Sequence, residues 1–189
     1  MSFFKMLLGF APWICLLSLA HGSLERLKIG LVVVAALTVG LAVTRLHRGV
    51  IMWVGLLFFA YAIVAVVIQG DLWAVRHMAA LANGALAVAV WAGIALKRPF
   101  TLEYARKQTD PALWTHPVFL RTNHQLSTAW AAAFSACAAL AWQRSAEPAM
   151  PGWAYEVASN TLLLSAMLFS TWYPAHLKRR RQAQAAQAD

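Results

Sequence analysis

Long runs of apolar residues separated by short polar gaps dominate the chain. Six of them approach the roughly 20 residues that a helix needs to cross a bilayer. They run from about Phe3 to Ala20, Ile29 to Thr44, Gly49 to Gln69, Leu72 to Leu96, Leu126 to Trp142 and Trp153 to Ala175. The runs are continuous rather than alternating, which predicts helices and not the strands of a barrel. In lipid each backbone N–H and C=O must be paired within its own segment, and a helix does this. The expected fold is an all-α integral membrane protein, a bundle of six transmembrane helices. Residues 1–177 form its one domain and 178–189 a basic polar tail. Most gaps are short, so sequence neighbours should pack antiparallel. No convincing internal repeat relates the first three spans to the last three.

Composition agrees with the pattern. Of the 189 residues 61% are hydrophobic and 12% charged, about half the charged share of an average soluble domain. The first run also has the look of a signal peptide, with Lys5 before an apolar core and Ser18-Leu19-Ala20 after it. Pro12 and Trp13 in mid-core argue for a retained span. Cys15 and Cys137 both fall inside spans, where a thiol behaves as a small apolar group. They form no CxxC or disulfide framework.

Charge gives the orientation. The chain carries 16 Lys and Arg against 7 Asp and Glu, a formal net charge of +9. In a soluble protein this would point to nucleic acid; here the bias follows the loops. Lys5, Arg45, Arg48, Lys97, Arg98, Arg106, Lys107, Arg121, Lys178, Arg179, Arg180 and Arg181 fall on the face shared by both termini. Arg26, Lys28, Arg76 and Arg144 fall on the other. Basic loops stay in the cytoplasm. Both termini and the long 97–125 loop are therefore expected there, in a bacterial inner membrane.

That loop is the most unusual segment. Pro99 suits a helix start. Asp110-Pro111 suits another, with Asp as cap and Pro in the first turn. Phe100, Tyr104 and Trp114 interleave with Arg and Lys, the composition of short helices lying in the interface. Two readings follow: a connector that anchors the fourth and fifth spans, or a ligand or partner site holding Arg98 and Tyr104. Lys97, Arg98, Arg106, Lys107, Lys178, Arg179, Arg180 and Arg181 are the candidates for anionic headgroups.

Polar residues at membrane depth supply further candidates. Arg76 and His77 lie near the outer start of the fourth span, beside Asp71. The plainest reading there is an Asp71–Arg76 ion pair. Asn83, Asn160, Trp91 and Trp130 lie deeper, and together they could line a permease path. Ser127, Thr128, Ser135, Ser159, Thr161 and Ser165, with small-residue spacing at Ala80, Gly84, Ala85 and Ala89, read more simply as close helix packing. His116, His124 and His176 sit on the cytoplasmic side and raise the question of haem, but no HExxH or carboxylate pairing accompanies them. Neither a nucleophile triad nor a P-loop is present, so no catalytic residue, metal or cofactor is assigned. Trp73, Trp142, Trp153 and Trp172 mark the ends of spans.

Some of these features occur in a familiar order. Phe10-Ala11-Pro12 opens the first span, Lys97-Arg98-Pro99 closes the fourth, Pro111 and Trp114 follow, and Trp130 with Phe134 stands in the fifth. This resembles the bacterial intracellular septation protein A family over nearly the whole chain. In that family an Asn stands three residues before the fifth-span Trp. Here that residue is Ser127, and Asn123 lies one turn earlier on much the same face. The resemblance implies a non-enzymatic role in the cell envelope or in septation, exerted through lipids, other inner-membrane proteins or a homodimer. It implies no catalytic residues.

Overall fold

The fold is described here from a computed structural model that covers residues 12–13, 23–43 and 50–185, with the side chains of 181, 184 and 185 excepted. Most of the first run, Arg45, Arg48, the side chain of Arg181 and the last four residues lie outside this description. Within it the chain is helical, with no strands. The helices are α1 (Leu24–Val43), α2 (Val50–Ala62, continued by a π-helical turn at Ile63–Ile68), α3 (Leu72–Ala95), α4 (Thr101–Arg106), α5 (Pro117–Ala146) and α6 (Gly152–Ala185). A 3-10 turn at Pro111–Leu113 stands between α4 and α5.

Among the described residues three helices are long and apolar enough to cross a membrane: α1, α2 with its π turn, and α3. α5 and α6 are longer, at 30 and 34 residues, but Ser, Thr, Asn and Trp dilute their apolar character. The helices pack mainly in sequence order. α1 lies on α2, α2 on α3, α3 on α5 and α5 on α6. The longest contact is α3 against α5. Trp73 meets Trp142 at one end of that pair, and Thr101, just past α3, meets Ser127 at the other. The two helices are therefore antiparallel. α5 and α6 are antiparallel too, with Trp130 bonded to Ser170 and Arg144 to Glu156.

The core runs through α1 to α5 and takes in Ala166 of α6. Leu31, Val34, Ile51, Phe59, Val66 and Val90 are each nearly or wholly sealed from solvent. Trp13 packs on Phe58 and Phe59, with ring centroids 5.2 and 5.1 Å away. This ties the first run to α2. Gly55 lies against that indole: a Cβ added there would be in ordinary van der Waals contact, 3.5 Å from Trp13 Nε1. The outward faces are oily: Ile29, Val43, Leu57, Ile68, Leu72 and Val88 are all exposed. In water such a surface would aggregate; facing lipid it is in its proper solvent.

The π turn follows from how α2 ends. Gln69 N–H donates to Val64 O at 3.0 Å, and Asp71 N–H reaches Ala65 O at 2.8 Å. The last turn is thus widened by a residue, and Gly70 closes it at φ +64°, where a side chain would be strained. Asp71 then caps α3. Its carboxylate accepts from Trp73 N–H at 2.8 Å and Ala74 N–H at 3.3 Å. The expected Asp71–Arg76 pair does not form; the open N–H groups of the first turn take the carboxylate instead.

Candidate functional site

The end of α3 sets the site. Lys97 adopts φ +56°, Lys97 N–H donates to Ile94 O at 3.0 Å, and Arg98 N–H donates to Gly93 O at 2.8 Å. This is a Schellman motif with a lysine where glycine is usual. Gly93 is needed inside it, since a Cβ there would stand 3.0 Å from Arg98 O. Pro99 then prevents the helix from resuming. The turn leaves Lys97 and Arg98 exposed and folds the next residues under the bundle.

α4 is docked rather than floating. Phe100, Thr101, Leu102 and Tyr104 are buried. Thr101 Oγ1 donates to Asn123 O at 2.8 Å and lies 2.9 Å from Ser127 Oγ. Thr101 N–H adds a 3.4 Å bond to the same hydroxyl. Asn123 Nδ2 donates to Phe119 O at 2.9 Å. Asn123 and Ser127 share a face of α5, as their spacing of one helical turn requires. On the other side of α4, Glu103 accepts from Val50 N–H, the first residue of α2. The connector thus fastens α3, α5 and the start of α2 at one end.

Burial has a chemical consequence there. Desolvation pushes the Glu103 carboxyl above its ordinary range, against the Val50 N–H and the Lys107 charge that favour ionisation. Glu103 Oε2 is buried without a hydrogen-bond partner. The Tyr104 hydroxyl is also raised, first by burial and then by the neighbouring Glu103 charge.

The rest of the segment is braced locally. Arg106 lies over Trp114, 5.5 Å from the ring centroid. Trp114 Nε1 donates to Thr109 O at 3.0 Å. Asp110 accepts from Ala112 N–H at 2.9 Å, in the capping role its position before Pro111 predicts. His116 Nδ1 accepts from Val118 N–H at 3.2 Å and caps α5. The outcome is a single cationic end. Lys97, Arg98, Arg106, Lys107, Arg121, Lys178, Arg179 and Arg180 are all exposed there, with only Glu103 and Asp110 to oppose them among the described residues.

The opposite end is different. Arg144 pairs with Glu156 at 3.1 Å, and Lys28 with Glu25 at 3.4 Å. His77 is buried between Trp73 and Trp142, 4.5 and 4.9 Å from their centroids, and its Nδ1 bonds Trp73 O at 2.9 Å. Arg76 is exposed beside it.

The deeper candidates do not converge. Asn83 Nδ2 donates to Ala79 O at 2.9 Å, within its own helix. Trp130 is buried and donates to Ser170 at 2.9 Å. Trp91 donates to Ser135 at 3.2 Å but is 44% exposed, so it faces outward. Asn160 is on the outer face of α6. An open groove of about 690 Å³ runs between α3 and α5, but it is lined by residues such as Ala80, Gly84, Val88 and Ala138, and not by Asn83, Trp91, Trp130 or Asn160. The histidines are equally scattered: His116 caps a helix, His176 stacks on Trp172 at 4.9 Å, and His124 is exposed. Among the described residues no cluster of three His, Cys, Asp or Glu could hold a metal. Cys137 is buried, its Sγ 3.6 Å from Ser159 O.

The sequence reading missed Thr101. Its only signal was a lone hydroxyl between Phe100 and Leu102, in a segment already expected to be helical. Comparison with protein-family models, curated proteins and solved structures finds no match to this chain.

Proposed function

We propose that the chain is a non-enzymatic, multi-pass protein of a bacterial cytoplasmic membrane. It crosses the bilayer six times, with both termini and the connector in the cytoplasm. It acts in envelope maintenance or septation by holding a rigid cationic face against anionic lipid headgroups and membrane partners. One observation carries this reading: the connector is bolted beneath the bundle through Thr101, Asn123, Ser127 and Glu103, while its Lys and Arg side chains point away from the bundle. A flexible basic loop would attract anionic lipid equally well but could not fix the position of a partner. The order of features shared with the septation protein A family supports the envelope role, and the basic bias supports the orientation.

α5 and α6 are read as spans because α3 and α5 lie side by side along their length. α6 then returns along α5, with Trp153 at one end and Trp172 at the other. The test is photocrosslinking in cells from positions 98 and 107, with position 153 as the control. Adducts to acidic lipid or to a membrane protein, specific to 98 and 107, are expected. Their absence, together with an unchanged envelope after gene deletion, would refute the role.

A further inference from the structure

A second cleft, of about 400 Å³, opens at the cationic end between the connector, the first turns of α5 and the late part of α6. Its walls divide by chemistry. Phe119 and Leu177 supply apolar surface, while His116, Thr122, Lys178 and Gln182 supply donors. No hydrogen bond or ion pair joins the Thr122 hydroxyl, the Lys178 ammonium or the Gln182 amide to other described residues. The His116 ring is oriented by its own bond. Because Nδ1 accepts from Val118 N–H, neutral His116 carries its proton on Nε2 and presents it away from the helix. The positive end of the α5 dipole adds to the same field.

Four uncommitted donors, one of them cationic, face a space with no carboxylate in its lining. That set matches the three or four acceptor oxygens of a phosphate group. The apolar wall beside it matches what an amphiphile carries next to its phosphate. We propose that this cleft binds a phosphate-bearing anion, supplied at this depth by an acidic phospholipid. The proposal rests on the reading above that the cationic end lies at the cytoplasmic headgroup level. It goes beyond a diffuse basic surface because it names one site. Lys178 is essential to it, whereas Lys97 and Arg98 are equally basic and are not part of it.

The test uses the full chain in nanodiscs of phosphatidylcholine containing some phosphatidylglycerol, with retained lipid counted by mass spectrometry after extraction. Inorganic phosphate, followed by phosphorus NMR line broadening, forms the second arm. Retention of phosphatidylglycerol is expected, with about tenfold weaker binding in a Lys178→Gln, Thr122→Val variant, since a charge-assisted bond is lost. An Arg26→Gln variant, which removes an exposed charge from the opposite end of the bundle, should bind within about twofold of the parent. If phosphate alone binds with the same Lys178 dependence, the site stands and its source is a soluble anion. Equal losses in the two variants would mean surface charge alone, and that overturns the site, as does the absence of binding in both arms. Alkaline extraction of the same samples reports insertion. A chain that stays in the bilayer yet holds neither probe disproves this inference alone, whereas a chain that washes out disproves the membrane reading itself.

Discussion

The two halves of the bundle hold together by different means. α1, α2 and α3 meet through interlocking apolar side chains, with Trp13, Phe58 and Phe59 at the centre. α5 and α6 meet through polar pairs: Trp130 to Ser170, Tyr173 to Gln125 at 2.6 Å and Arg144 to Glu156. In lipid the difference has a cause. A hydrocarbon solvent gives apolar side chains no reason to leave it, so packing must come from shape, and polar groups gain by finding one another. The first half is apolar enough to be in lipid anywhere. The second half carries its polar groups in pairs. This division is why, among the described residues, only α1, α2 with its π turn and α3 are long and apolar enough to cross a membrane, and why the crossing of α5 and α6 is part of the proposal.

Four substitutions probe that division in detergent unfolding. The largest effect belongs to the apolar half. Phe59→Ala should cost about 2 kcal/mol, from a cavity of roughly 100 Å³ at ~24 cal/mol per Å³, with little transfer contribution in an apolar solvent. Thr101→Val should cost about 1–2 kcal/mol, because Ser127 Oγ and Asn123 O lose a buried partner while volume is kept. It should also loosen the connector, read as faster hydrogen exchange over 100–106. Lys97→Gly should raise stability by up to about 1 kcal/mol, since the left-handed backbone strains a lysine more than a glycine. Trp130→Phe keeps an aromatic ring beside Phe134, 5.5 Å away, and removes the donor to Ser170 together with part of the indole's volume. Its cost should be about 1 kcal/mol, roughly 0.6 kcal/mol of it from the hydrogen bond. Equal costs for Phe59→Ala and Trp130→Phe would erase the proposed contrast.

The smallest effect is a dependence on pH. The buried Glu103 carboxyl has a raised pKa in the folded protein, so the folded state binds its proton more tightly than the unfolded chain does. The docked connector should therefore be firmest at acidic pH. It should weaken as pH rises from the ordinary carboxylate range through the raised value. Glu103→Gln should flatten that dependence, as followed by exchange at α4. A connector that tightens with rising pH would contradict the burial argument.

Much of the scaffold was legible because lipid imposes a simple rule. Continuous apolar runs gave α2 with its π turn and α3 to within a residue at each end, whereas α1 starts at Leu24, ahead of the run that opens at Ile29. The cap at Asp110 followed from Pro111 in the next position; the matching cap at His116 before Pro117 was not expected, because His116 was read only as a cytoplasmic-side histidine. Other features depended on information that composition does not carry. The π turn at Ile63–Ile68 is as apolar as the helix before it, so nothing marks it. Trp91 and Trp130 are the same residue at similar depth, yet one faces out and the other in, because helical phase decides. α6 continues past Pro174, although a proline inside a helix removes one backbone hydrogen bond. Asp71 looked like half of an ion pair because sequence proximity showed Arg76 and hid the open N–H groups of α3. The phosphate-type cleft joins His116 and Lys178, which only the return of α6 along α5 brings together.

The claim on which the rest depends is that α5 and α6 cross the bilayer as an antiparallel pair, leaving the cationic end inside. A compartment-sensitive reporter inserted in the 147–151 connector, compared with one fused after Asp189, tests it directly. The account predicts an external signal from the first and a cytoplasmic signal from the second. Both reporters on the same side would mean that the pair does not span, and the proposed cationic face would lose its place against the membrane.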